Sequence, residues 1–239
     1  MTATLHLLGT GPGDPELLTL KSVRLLGEVP VVAFPRSDRG GTMAYDIARQ
    51  FIAPTAQLVP VDVPMLPERG DETQRLLEAA YGAGATRIAA HLDAGRDVAY
   101  LCEGDPLFYG TAIYVAQALA GRYPIRVVPG ITSFTAAAAA IPLPLVTGTE
   151  PLTVLAGTYP DETLAPRLAS EGAVVILKVG RHFDRLAALI ARTGRTEQSW
   201  LVERVGHAAQ RLLPLREVEP GPKPYFSLLL SASSGALSS

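Results

Sequence analysis

The chain has 239 residues, of which 48% are hydrophobic and 18% charged, and its formal net charge is −2. That balance fits a globular chain with a real buried core, in one large or two small domains, and it argues against a general nucleic-acid binder, which would carry a basic excess. The single cysteine, Cys102, excludes an internal disulfide framework and fits a reducing compartment.

Residues 5–8 (Leu-His-Leu-Leu) read as a strand that runs into the loop Gly9-Thr10-Gly11-Pro12-Gly13-Asp14. Leu17, Leu18, Val23, Leu25 and Leu26 then recur at helical spacing. Strands are expected at 29–34 and 57–63, a helix at 43–51, and a longer helix at 71–94 that Gly82 and Gly84 would interrupt. Strands at 98–101 and 125–128 complete a strand–helix alternation. This pattern predicts a parallel sheet with helices on both faces.

After the loop at 142–150 the pattern changes. Strands are expected at 152–155, 173–179, 200–205, 210–214 and 225–230, with helical patterns only at 161–170 and 184–192. The last two strands sit close together with proline between them, so part of this second sheet should be antiparallel. The expected layout is therefore α/β throughout. An N-terminal parallel-sheet domain spans 1–147, a C-terminal mixed-sheet domain spans 148–239, and the tail at 231–239 is frayed.

The N-terminal residues lack the basic flank and cleavage site of a signal peptide. The most apolar run, 134–146, is short and broken by Pro142 and Pro144, so no membrane span is expected and a cytoplasmic location is.

Three turns follow three of the first-half strands. The glycine loop is spaced G-x-G-x-G, which matches neither the dinucleotide fingerprint nor a P-loop; a tight strand-to-helix turn with Asp14 as cap would explain it equally. The turn Cys102-Glu103-Gly104-Asp105-Pro106-Leu107-Phe108-Tyr109-Gly110 carries carboxylates at the end of a strand, and Pro106 suits a first helical turn. Pro129-Gly130-Ile131-Thr132-Ser133 precedes an alanine-rich helix that Thr132 and Ser133 can cap. All three fall at the carboxyl ends of strands, the edge where open α/β sheets bind ligands. His6, His91, His182 and His207 lack ligand-like spacing, so no metal site is expected, and Cys102 reads as a buried inert thiol.

Together these turns resemble the tetrapyrrole (corrin/porphyrin) methylases over nearly the whole chain. Within that family, the segments Cys102-Glu103-Gly104-Asp105, Leu152-Thr153-Val154-Leu155-Ala156-Gly157-Thr158, Ile176-Leu177-Lys178-Val179-Gly180-Arg181, Val202-Glu203-Arg204 and Pro224-Tyr225-Phe226-Ser227 resemble the branch that methylates precorrin-2 at C20.

The resemblance implies a homodimeric methyltransferase of cobalamin biosynthesis that takes S-adenosyl-methionine, releases S-adenosyl-homocysteine and acts on a small-molecule tetrapyrrole, not on nucleic acid. It implies cofactor contacts at Pro12, Gly104, Asp105, Pro106, Tyr109, Thr132, Ser133, Val179, Arg204, Val205, Ser227 and Leu228. Glu203-Arg204-Val205-Gly206 departs from the commoner family pattern Glu-x-Gly-Thr. Substrate carboxylates would need cations, for which Arg36, Lys178, Arg181 and Arg204 are the candidates. Glu103 and Tyr109 are the candidate proton acceptors, although Glu103 could equally cap backbone. The alternatives are C20 methylation of the cobalt-containing factor II, methylation of another corrin carbon, a family member acting on protein or RNA, and a ligand-binding protein without catalysis.

Overall fold

A computed structural model describes residues 2–38, 40–64 and 71–233. The chain divides into two compact units, Met1–Thr132 and Ser133–Ser239. The expected boundary between 147 and 148 falls within the second of these units, where Glu150 Oε2 accepts from the Thr147 N–H at 2.8 Å and from Ser233 Oγ at 2.9 Å.

The first unit runs β1 (Leu5–Gly9), α1 (Leu20–Glu28), β2 (Val31–Ser37), α2 (Met43–Ala48), β3 (Gln57–Val63), α3 (Asp71–Asp93), β4 (Val98–Cys102), α4 (Ala112–Leu119) and β5 (Ile125–Val128). Its five strands are all parallel, in the order β3-β2-β4-β1-β5. Alternate side chains serve opposite faces. Leu5, Leu7, Val31, Ala33, Val98 and Tyr100 pack with Tyr81, Ile88 and Leu92 of α3 and Val115 and Leu119 of α4. Leu8, Val32, Phe34, Ala99 and Leu101 pack with Leu25 and Leu26 of α1 and Ala44 and Ile47 of α2. Burial on both faces explains why these strands read as continuous apolar runs.

Thr19 caps α1, its Oγ1 accepting from the Ser22 N–H at 3.2 Å. Neither glycine interrupts α3. A Cβ on Gly84 would collide with Val61, so this glycine lets the helix approach β3 closely, whereas Gly82 faces open space. β1 sends its chain to α1 on one face, and the adjacent β4 sends its chain to α4 on the other. Connections that diverge from neighbouring strands open a crevice at their carboxyl ends.

The second unit runs α5 (Ser133–Ala140), β6 (Leu152–Ala156), α6 (Asp161–Leu168), β7 (Ala173–Leu177), α7 (Phe183–Arg192), β8 (Ser199–Glu203), β9 (Arg211–Pro214) and β10 (Ser227–Ser231). The sheet order is β6-β7-β10-β8-β9. β6 and β7 are parallel, whereas β10 is antiparallel to both β7 and β8, and β9 to β8. Phe183, Leu186, Leu189 and Ile190 form one stripe of α7 and pack with Leu155, Leu164, Ile176, Leu201 and Leu229.

Two strands end earlier than expected, each at a residue with left-handed backbone: Lys178 (φ 58°) stops β7 and Arg204 (φ 49°) stops β8. The expectation of fraying from 231 is corrected. Ser231 belongs to β10 and is buried, and the Ala232 N–H reaches the Gln198 carbonyl at 3.0 Å. Residues 234–239 of that tail, and 65–70 of the loop before α3, lie outside the described residues. No described helix is long and apolar enough to cross a membrane.

Candidate functional site

The three sequence turns follow β1, β4 and β5, which are neighbours in the sheet, and the structure brings them into contact. The first two exchange hydrogen bonds: Gly104 N–H donates to the Gly11 carbonyl at 2.8 Å, Gly11 N–H to the Gly104 carbonyl at 3.3 Å, and Thr10 N–H to the Cys102 carbonyl at 2.9 Å. Asp105 ties in the third, since its Oδ2 accepts from the Gly130 N–H at 3.1 Å and its Oδ1 from the Leu107 N–H at 2.9 Å. At the junction the backbones touch. A Cβ built on Gly9 would lie 2.5 Å from the Gly130 nitrogen and 2.7 Å from the Gly104 oxygen, and one on Gly130 would lie 2.9 Å from the Gly9 Cα. No side chain fits there, so glycine at 9 and 130 is a steric requirement.

Above this junction the surface is open and partly apolar. Gly104 holds a left-handed φ of 63°, and the only neighbour a Cβ there would meet within 4 Å is the Ile131 oxygen, at 3.9 Å. Leu107, Tyr109 and Ile131 remain 63%, 42% and 39% exposed, while Pro106 is buried beneath them and Pro12 and Thr132 are half-buried. Tyr109 adopts φ 54°, a strained region for an aromatic residue, and its ring meets that of Phe108 edge-on at 5.2 Å. Ser133 opens α5 in the second unit, with Thr132 immediately before it.

The two candidate proton acceptors are placed differently. Tyr109 is exposed. Glu103 is turned inward, its carboxyl pushed up to about 7 by desolvation, with a hydrogen bond from the backbone of Ala44 acting in the opposite direction. The Cys102 thiol is buried and pushed up to about 12 by the same desolvation, which makes it inert.

The remaining candidates, except Arg36, gather at one edge of the second unit's sheet. Because β10 is antiparallel to both β7 and β8, the carboxyl ends of β6, β7 and β8 share an edge with the start of β10. Gly157 N–H donates to the Leu177 carbonyl at 2.7 Å, Arg204 N–H to the Phe226 carbonyl at 2.8 Å, and Lys223 N–H to the Gly180 carbonyl at 3.0 Å. Val179, Val205, Ser227 and Leu228 are buried here, whereas Lys178, Arg181 and Arg204 are exposed. This edge is cationic although the chain is acidic overall. Its buried carboxylate, Glu203, is met by Arg211 at 3.3 Å. Arg36 lies elsewhere, on the part of β2 that pairs with β3, and its Nε donates to Asp62 Oδ1 at 2.6 Å across the strands.

Sequence reasoning missed several parts of the site. Thr158 Oγ1, just beyond β6 at the cationic edge, is buried without a hydrogen-bond partner. The left-handed Tyr109, Lys178 and Arg204 carry no glycine to announce them. The steric roles of Gly9 and Gly130 were visible only as turn residues. Among the described residues no His, Cys, Asp or Glu cluster could hold a metal ion.

The chain is 40% identical over 230 residues to the cobalamin biosynthesis protein CobIJ of Mycobacterium tuberculosis, covering 95% of this chain and 45% of that protein. The chain thus spans less than half the length of that relative. It is 39% identical over 227 residues to the precorrin-2 C(20)-methyltransferase of Sinorhizobium sp, covering 93% and 92% of the two. Among solved structures, the uroporphyrin-III C-methyl transferase of Thermus thermophilus complexed with S-adenyl homocysteine superposes with a TM-score of 0.68 at 27% identity, covering 96% of this chain and 97% of that one. The sequence profile of the tetrapyrrole (corrin/porphyrin) methylases matches residues 4–219, and the chain belongs to that family.

Proposed function

We propose that the chain transfers a methyl group from S-adenosyl-methionine to C20 of precorrin-2, giving precorrin-3A in cobalamin biosynthesis. The observation that carries this reading is the junction of Gly9, Gly104 and Gly130, where three turns are packed backbone to backbone beneath an open, partly apolar surface. The residues fit such a cofactor. Turns that meet at glycine let a ligand approach main chain directly. The residues we propose for its contacts are Pro12, Gly104, Asp105, Pro106, Tyr109, Thr132, Ser133, Val179, Arg204, Val205, Ser227 and Leu228.

When bound, S-adenosyl-methionine supplies a methyl group already activated by its sulfonium. The macrocycle's electron-rich meso carbon is an intrinsic nucleophile, so the chain needs no nucleophilic side chain of its own. Its work is orientation, exclusion of water and an exit for one proton. Asp105 fixes the second and third turns against each other, and the glycine junction removes slack between them. Lys178, Arg181 and Arg204 offer cations to the substrate's carboxylates, Arg204 and Lys178 from a backbone held in a single left-handed conformation. Arg36 is a further anchor on β2.

The test is incubation with isotope-labelled cofactor and precorrin-2 or its cobalt-containing counterpart, followed by mass spectrometry. A gain of a single labelled methyl on the metal-free macrocycle is expected. Turnover of the cobalt form alone would move the assignment to that substrate, and bound cofactor without transfer to either would overturn it. We further propose a cytoplasmic homodimer, for which light scattering should return twice the chain mass.

A further inference from the structure

Lys178 follows β7 with a left-handed backbone (φ 58°), at the cationic edge of the second unit's sheet. That conformation is unfavourable for a lysine and persists only where the surroundings enforce it. The enforcing contacts come from the turn after β6. Gly157 N–H donates to the Leu177 carbonyl at 2.7 Å, which carries the β6–β7 pairing past Ala156 and Leu177. A Cβ on Gly157 would lie 3.1 Å from the Lys178 carbonyl oxygen and 2.8 Å from Leu186 Cδ1 of α7. Glycine therefore lets this turn lie directly against the residue that bears the cation.

The turn is in its own right held by a guanidinium from α7. Arg185 Nη2 donates to the Gly157 carbonyl, and its Nη1 donates to the Tyr159 carbonyl at 3.1 Å and to Asp161 Oδ1 at the start of α6. The Arg185 side chain is only 34% exposed. One rigid, planar fork thus spans the turn at 157–159 and the first residue of α6. Gly157 is held at both of its polar groups, by β7 through its N–H and by Arg185 through its carbonyl. Arg195 provides the contrast. It also spends its guanidinium on main-chain carbonyls, those of Ser170 and Gly172, but these precede β7, at the opposite end from Lys178.

We propose that Arg185 is a positioning residue for the polycarboxylate substrate: by clamping the turn at 157–159 it holds Lys178 in the left-handed conformation from which its ammonium meets a substrate carboxylate. This rests on the methyltransferase reading above, whereas the clamp is a property of the second unit alone.

A double-mutant cycle separates this role from a purely structural one. Arg185→Gln should raise KM for precorrin-2 about tenfold with kcat within about threefold, the effect of misplacing one charged contact used in binding. In a Lys178→Ala background the same substitution should change KM by less than about twofold, because the residue it acts through is gone. Arg185→Lys, whose single ammonium cannot span three acceptors, serves if the glutamine protein does not fold, and Gly157→Ala should repeat both results from the other side of the turn. Arg195→Gln should lower the thermal midpoint and leave KM unchanged. An equal rise in KM from Arg185→Gln with and without Lys178, or a matching rise from Arg195→Gln, would overturn the proposal. Amide exchange at Gly157 in the free protein should be about tenfold faster in Arg185→Gln, and unchanged exchange would overturn the clamp. That measurement needs no turnover. An unmodified protein inactive on precorrin-2 would therefore sink the substrate reading, and this role with it, while leaving the clamp to be decided by exchange.

Discussion

Replacing Gly130 with alanine tests whether the three turns form one rigid junction. The new Cβ would lie 2.9 Å from the Gly9 Cα and 3.0 Å from the Gly9 carbonyl carbon, and closer still to the Gly104 oxygen. All of these are backbone atoms, which cannot rotate aside. Ordinary carbon contacts are about 3.5–4.0 Å, so the turns must separate by roughly 1 Å. Overpacking of this kind costs about 1–3 kcal/mol, and with backbone as the obstacle the upper end applies. A displacement of roughly 1 Å at a site that works by orientation lowers kcat/KM by about a hundredfold. Gly9→Ala meets the same junction from the other side and should behave alike, whereas Gly82→Ala, which faces open space within α3, should stabilise by about 0.5–1 kcal/mol. Urea denaturation, amide exchange of β1, β4 and β5, and calorimetric titration with S-adenosyl-homocysteine read the three effects. If Gly130→Ala matched the unmodified protein in stability and in affinity, the turns would not be in the contact described and the reasoning would fail.

Asp105→Asn turns an amide donor toward one of two backbone N–H groups, so in urea titrations it should lose about 1–3 kcal/mol and fare no better than Asp105→Ala; stability equal to the unmodified protein would count against the Asp105 bridge. Lys178→Gly relieves a left-handed backbone and should gain about 1 kcal/mol while KM for the polycarboxylate substrate rises and affinity for S-adenosyl-homocysteine stays constant; a fall in stability would contradict the strain argument. Burial raises the Glu103 carboxyl from 4.5 to about 7, so the folded state holds its proton more tightly than the unfolded chain and stability from this group falls as pH rises from 4.5 to 7, by about 3 kcal/mol. Glu103→Gln should therefore gain on the unmodified protein across that window. Burial lowers His6, so its contribution has the opposite slope: it is present above pH 6.5 and lost as pH falls below it, and His6→Gln should flatten that acid limb in thermal melts.

Much of the first unit was legible because its physics is local. Runs such as 57–63 and 125–128 are short, rich in aliphatic and β-branched residues and punctuated by turn residues, and match their strands residue for residue. The three turns were legible for the same reason, since glycine and proline mark where a chain must bend. What was not legible depends on distant partners. Gly84 reads as a helix breaker until Val61 is seen against it. Ser231 and Ala232 read as a polar tail, but the strand pairs on both sides, with Val174 and Ser199. Lys178 and Arg204 look like ordinary strand residues, because left-handed backbone at a cation leaves no compositional trace. In the candidate site, glycine and proline marked the three turns, and the structure supplied how Gly9, Gly104, Asp105 and Gly130 interlock.

The most direct test of the assigned chemistry is a reaction of the purified chain with precorrin-2 and S-adenosyl-methionine labelled with carbon-13 in its methyl group, read by carbon NMR of the isolated product. A single enriched methyl attached to C20 is the predicted result. Enrichment at any other carbon, or an unlabelled macrocycle recovered from protein that still binds S-adenosyl-homocysteine, would contradict it.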